Sequence, residues 1–171
     1  MDNKCINNCT SAPGLTYGSS DATKIKVANT TFFKVNGRKF YVAGAEVSIV
    51  GAKRNLPTLN GVAQTAGPLA FDDGTVDAST KSCRIYAVVA TSLETDPYTV
   101  TLSAIAGEDF PKGRNAQASD FPTVTQSNSV ILGYLYVKNE TTANLVPGTM
   151  LLSTVSNVTK TFTDNYAQSG K

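Results

Sequence analysis

Residues Thr31–Ala43 read TFFKVNGRKFYVA. An Asn-Gly pair separates two short runs in which apolar side chains recur at every second position. Both central positions of a two-residue type I′ turn need positive φ, which Asn and Gly adopt most readily, so this is the strongest short-range hairpin signal. A loop at Asn36-Gly37 sets Val35 against Arg38, Phe33 against Phe40 and Thr31 against Val42. The Phe33–Phe40 pair then lies on one face, worth up to ~1 kcal/mol beyond burial.

Working outward, Ile25 and Val27 alternate with lysines from Lys24, and residues 46–50 continue the pattern. Ser82–Thr91 (SCRIYAVVAT) reads as a buried strand. In residues 98–106, Tyr98, Val100, Leu102 and Ala104 form one face while Thr99, Thr101 and Ser103 form the other, the mark of a half-exposed antiparallel strand. Val130–Val137, Met150–Leu152 and Val158–Thr163 are further candidates. Residues 51–80 carry turn signals and little period. Residues 107–127, broken by Pro111, Gly113 and Pro122, form a connection of uncommon length, of the kind that serves function or meets a partner. No stretch of ten or more residues carries a helical period. The expectation is an all-β fold, an antiparallel β-sandwich or barrel-like domain. Residues 1–22, polar and aperiodic, read as a flexible or extended N-terminal arm, 23–166 as a single β domain, and 167–171 as a tail.

Composition agrees. Charged residues make up only 16% of the 171, against ~25% in typical soluble domains, so Thr, Ser, Asn and Gly must cover the surface. The chain holds 22 Thr and 16 Val but only 4 Glu, and β-branched side chains favour strands over helices. The net charge of +2 comes from Lys and Arg that are scattered along the chain; without clustered cations, nucleic acid is not an expected partner. No run of 18 apolar residues marks a membrane span, and MDNKCINNCT lacks the apolar stretch of a signal peptide, so synthesis and folding in a cytoplasm are expected.

The chain has no histidine, which excludes Ser-His-Asp and Cys-His nucleophile arrangements and histidine-ligated metals. Neither GxGxxG nor a P-loop occurs. Three cysteines without a signal peptide do not read as a disulfide framework. Cys5 and Cys9 are expected as exposed thiols and Cys83 as a buried one; a zinc site would need carboxylates to complete the set. Carboxylate pairs are the remaining catalytic option: Asp72-Asp73, Glu94/Asp96 and Glu108-Asp109. Glycoside hydrolysis needs two carboxyls facing one another across a cleft, which neighbours in turns rarely achieve. Asp72, Asp73 and Asp77 could hold calcium, yet DDGTVD lacks the spacing and closing glutamate of an EF-hand and reads as an Asp-Gly turn. The sequons at Asn8, Asn29, Asn139 and Asn157 carry no weight without secretion. Lys112–Arg114 reads as a solvated loop, with contact to an acidic partner as its alternative. Phe33, Phe40, Tyr86, Tyr134, Tyr136 and Phe162 lean towards the core. No catalytic residue, cofactor or metal site is expected.

The order of segments FFKVNGRKFYVA, CRIYAVVA, YTVTLSAIAGED, VILGYLYVKN, LVPGTMLL and TKTFTDNY resembles small β-structured virion proteins of tailed bacteriophages, of the capsid decoration or head fibre type. The resemblance spans about residues 30–166 and rests on strand order and turns. It implies a non-enzymatic protein carried on the virion, binding the major capsid protein or other virion subunits. Residues 1–22 or 107–127 would make the contact with the capsid subunits, and the resemblance also implies a homotrimer. The alternative expectation is a tail, fibre or adhesin-like module that recognises a host-surface glycan or protein.

Overall fold

The computed structural model describes residues 7–18, 24–49, 53–54, 81–93, 99–111, 113–140, 153 and 158–165. Apart from one 3₁₀ turn at Ala118–Asp120, every described element is a strand: β1 (Asn8–Cys9), β2 (Leu15–Tyr17), β3 (Lys24–Val27), β4 (Thr31–Val35), β5 (Arg38–Val42), β6 (Glu46–Ser48), β7 (Lys53–Arg54), β8 (Lys81–Ser92), β9 (Val100–Ala106), β10 (Phe110–Pro111), β11 (Ser129–Asn139) and β12 (Val158–Asp164). The fold is all-β and sandwich-like.

The hairpin forms in the expected register, with Val35 opposite Arg38, Phe33 opposite Phe40 and Thr31 opposite Val42. Asn36 (φ 50°) and Gly37 (φ 80°) occupy the left-handed region that the turn requires, and the Phe33 and Phe40 rings stack with centroids 5.7 Å apart.

A six-stranded sheet runs in the order β12-β11-β8-β9-β7, with β10 also on β8. All its pairings are antiparallel except β7 with β9. Two three-stranded sheets, β1-β4-β5 and β2-β3-β6, cover one face of it. The core lies between these layers. Tyr86, Val88 and Ala90 of β8, Ala104 and Ala106 of β9, and Leu135 and Val137 of β11 meet Ile25, Val27, Phe33, Val35 and Val47. β8 is the centre: every residue from Cys83 to Ala90 is buried. A strand covered on both faces must be apolar at both parities, which is why its sequence does not alternate. In β9, by contrast, Thr101 and Ser103 are exposed and Ala104 and Ala106 buried, as the alternation predicts.

Residues 7–18 differ from the arm expected of them. β1 pairs with β4 and β2 with β3, and Cys9 and Leu15 enter the core. The Gly14 and Leu15 N–H groups donate to the Asp164 carboxylate, each at 3.0 Å. Sparse apolar residues suffice because each strand is only two or three residues long and buries one side chain. Cys9 is therefore a buried thiol, not an exposed one, while Cys83 is buried as expected.

The connection from Gly107 to Asn128 is ordered at both ends and pinned midway. Gly107 N donates to Ile85 O at 2.7 Å, and Asn128 exchanges hydrogen bonds with the backbone of Ser92. A Cβ on Gly107 would collide with Asp120 O, so only glycine allows the chain to pass there. Arg114 binds Asp120 through both oxygens and lies over the Phe110 ring, 5.0 Å from its centroid. Phe121 meets Tyr134 edge to face at 5.3 Å. The strap thus covers the outer side of β8, where Cys83, Ile85 and Phe110 form a second small apolar cluster with Tyr134 and Tyr136.

Candidate functional site

Each residue of β4 and β5 that does not face the core must face outward, because side chains alternate along a strand. Phe32 and Phe33 are adjacent, so both cannot be buried. Phe33 is fully buried, and Phe32 is 50% exposed. Directly opposite Phe32 stands Tyr41, 63% exposed, with ring centroids 6.2 Å apart. The next pair on the same face is Lys34 with Lys39. Asn8 of β1 lies opposite Lys34 and extends that row across a third strand.

This face therefore carries an aromatic row and a cationic row on a tightly turned hairpin. Like charges directly opposite one another destabilise a strand pair. Within this stretch of sequence no acid offsets them: residues 24–45 contain five Lys or Arg and no Asp or Glu, so the chain's net +2 divides into +5 here and −3 elsewhere. The cations are scattered in sequence, but the hairpin sets Lys34 and Lys39 opposite one another on one face.

At the Asn8 end the platform borders a cleft of about 570 Å³ lined by Asn7, Asn8, Gln126, Ser129 and Asn165, with Val124 and Ile131 among its apolar walls. Most of the amides are anchored. Asn7 accepts from Asn36 N at 2.9 Å and donates to Ser129 O at 3.3 Å, tying the hairpin turn to the start of β11. Asn165 donates to Ile131 O at 3.1 Å, and Gln126 accepts from the Ser129 hydroxyl at 3.1 Å. Asn8 is the exception, because its Oδ1 is buried and accepts no hydrogen bond. A buried acceptor left unpaired costs about 1–3 kcal/mol, which a donor entering the cleft would recover. Cys9 also lines the cleft. Burial pushes its thiol pKa up, and the nearby Asp164 charge adds to this, so it is a poor nucleophile.

The carboxylates of the catalytic alternatives fall elsewhere. Asp72, Asp73, Asp77, Glu94 and Asp96 lie outside the described residues, as do Cys5, Lys112, Asn157 and Met150–Leu152. Asp109 is engaged by the buried Arg84, whose Nε and Nη2 both donate to it, an arrangement that braces the strap against β8. Arg114, read from sequence as part of a solvated loop, is instead clamped to the chain's own Asp120. Among the described residues, no three His, Cys, Asp or Glu side chains are grouped to hold a metal ion.

The sequence reading named Phe33 and Phe40 and passed over Phe32 and Tyr41. The signal was present in the consecutive Phe32-Phe33 pair, since one member of such a pair in a half-buried strand must face away from the core. No protein-family model matches the chain, and no curated protein or solved structure is significantly similar to it.

Proposed function

We propose that this chain is a non-enzymatic structural protein of a tailed-bacteriophage virion, a decoration or cement protein that docks on the outer capsid surface and stabilises it. The observation that carries the reading is the exposed Phe32–Tyr41 pair beside the opposed Lys34 and Lys39. Aromatic side chains held on a preformed hairpin lose little freedom on binding, and buried aromatics dominate interface energetics. A partner surface with an apolar recess and an acidic rim would cover the rings and neutralise the lysine pair. The resemblance supplies the setting: synthesis in the host cytoplasm, then residence on the virion in contact with the major capsid protein. Mixing the purified chain with empty capsids tests this. Saturable co-sedimentation at fixed stoichiometry, lost in a Phe32→Ala/Tyr41→Ala double variant, is the expected outcome; no co-sedimentation by the unaltered chain would sink the idea.

A second reading is favoured by one specific feature, the amide-lined cleft with the unpaired Asn8 Oδ1 next to an exposed aromatic pair. Hydroxyl donors and a stacking face are what a sugar offers to such a site. In this reading the chain is a tail, fibre or adhesin-like module that recognises a host-surface glycan. Binding to cells or glycan arrays, lost on Asn8→Ala substitution and accompanied by no capsid binding, distinguishes it.

A further inference from the structure

Asn8, Lys34 and Lys39 form one row across β1, β4 and β5, and Phe32 with Tyr41 forms the row beside it. We infer that this face and the cleft at its Asn8 end make a single site for an acidic glycan, a sugar chain that carries carboxylate or sulfate groups. The inference rests on the glycan reading above and names its ligand.

The spacing follows from strand geometry. Residues directly opposite on neighbouring strands hold their Cβ atoms about 5 Å apart, so the row from Asn8 to Lys39 spans roughly 10 Å. Residues two apart along a strand are separated by about 7 Å, which places the rings of Phe32 and Tyr41 next to that row. A buried acceptor, two cations and two exposed rings therefore lie within reach of one ligand. The cleft volume of about 570 Å³ is in the ~300–1,000 Å³ range of small-molecule sites.

Two demands on this face select the ligand chemistry. Asn8 Oδ1 is buried without a hydrogen bond and calls for a donor. Lys34 and Lys39 stand opposite one another, and among the described residues neither joins an ion pair, so they call for an anion. An ammonium group would meet the first demand and be repelled at the second. A sulfate ion would meet the second and has no proton to donate. A sugar bearing an ionised group supplies hydroxyl donors and negative charge together, and its apolar ring face covers Phe32 and Tyr41, which are 50% and 63% exposed. None of the described residues lining the cleft is charged, so discrimination by charge falls to the lysine pair. Single-stranded RNA also combines hydroxyls with anions, but such strands are held by cations that track many phosphates, and this row holds one opposed pair.

The test is isothermal titration calorimetry of the full chain, with no capsid present, against oligogalacturonate and its methyl ester and against dextran sulfate and dextran. Each acidic probe has a neutral counterpart of the same backbone, and the two pairs separate carboxylate from sulfate. The expected result is that at least one acidic probe binds at least about tenfold more tightly than its counterpart, by a margin that shrinks as salt rises. Lys34→Gln/Lys39→Gln should abolish that preference with the fold intact, since it also removes a like-charge pair. Asn8→Ala should weaken sugar binding about fivefold, the worth of one hydrogen bond, with no loss of stability because the acceptor it removes has no partner in the folded chain. Neutral probes that bind as tightly as acidic ones would overturn the inference and leave the glycan reading standing, whereas no binding of any sugar would overturn both. A preference that survives the double lysine variant, unchanged sugar binding by Asn8→Ala, or equal binding of single-stranded oligouridylate would overturn it as well.

Discussion

Lys34 and Lys39 stand directly opposite one another across the β4–β5 ladder, next to the exposed Phe32–Tyr41 pair and with no acid between residues 24 and 45. Stability alone gives no reason for this arrangement, because an opposite-charge pair at the same positions would strengthen the hairpin. Lys39→Glu should therefore raise stability by about 0.2–1 kcal/mol while weakening attachment to the partner. Chemical denaturation read beside capsid co-sedimentation checks both halves, and a variant that loses stability while binding normally contradicts the assignment.

Phe32 and Phe33 are neighbours in sequence with opposite fates. Phe33→Ala empties a fully buried site and should cost about 3–5 kcal/mol of folding stability. Phe32→Ala removes a half-exposed ring and should change stability by no more than about 1 kcal/mol. Urea midpoints measured for the two variants under one condition provide the comparison.

Arg84 is buried on the central strand and is bound through two donors by Asp109. Removing the acid takes a bidentate charged partner from a buried cation, so Asp109→Asn should destabilise the fold, by up to about 3–5 kcal/mol. Thermal unfolding monitored by circular dichroism would show it. An unchanged midpoint would mean that the pair does not brace the strap.

Gly107 passes so close to Asp120 O that any Cβ must push the strap outward. Gly107→Ala is expected to cost roughly 1–3 kcal/mol, as overpacking does, and to loosen the Arg114–Asp120 clamp and the Phe121–Tyr134 contact with it. Amide hydrogen exchange at Asp120 and Phe121 should rise in the variant while β8 stays protected.

The buried Cys9 thiol titrates above its ordinary value of 9.0, chiefly because burial disfavours the thiolate. A group whose folded pKa is raised binds its proton more tightly in the folded state. The associated stability is complete below about pH 9 and falls as pH rises through the folded pKa. Cys9→Ala should flatten that alkaline decline, measured as denaturation midpoints across the range.

Turn chemistry and period-2 alternation are local, and they determined a good deal. Asn36-Gly37 set the register of the hairpin, and with it the pairing of Phe32 with Tyr41 and of Lys34 with Lys39. The apolar runs around Tyr86 and Leu135 marked the two central strands of the large sheet. Burial was another matter, since alternation separates two faces without saying which one meets the core. That decision belongs to the packing of β4 against the large sheet, and it is what turned Phe32 and Tyr41 outward. The inclusion of residues 7–18 was equally illegible, because Asp164 holds Gly14 and Leu15 from about 150 positions away. Arg114 and Asp120 look like loop charges until the strap folds over β8 and brings them together. Local rules act over a few residues, whereas the face of a strand and the fate of a polar arm depend on which distant segments arrive beside them. The sequence alone therefore determined the longer strands and the pairing at the hairpin, and the tertiary structure decided what those strands present to a partner.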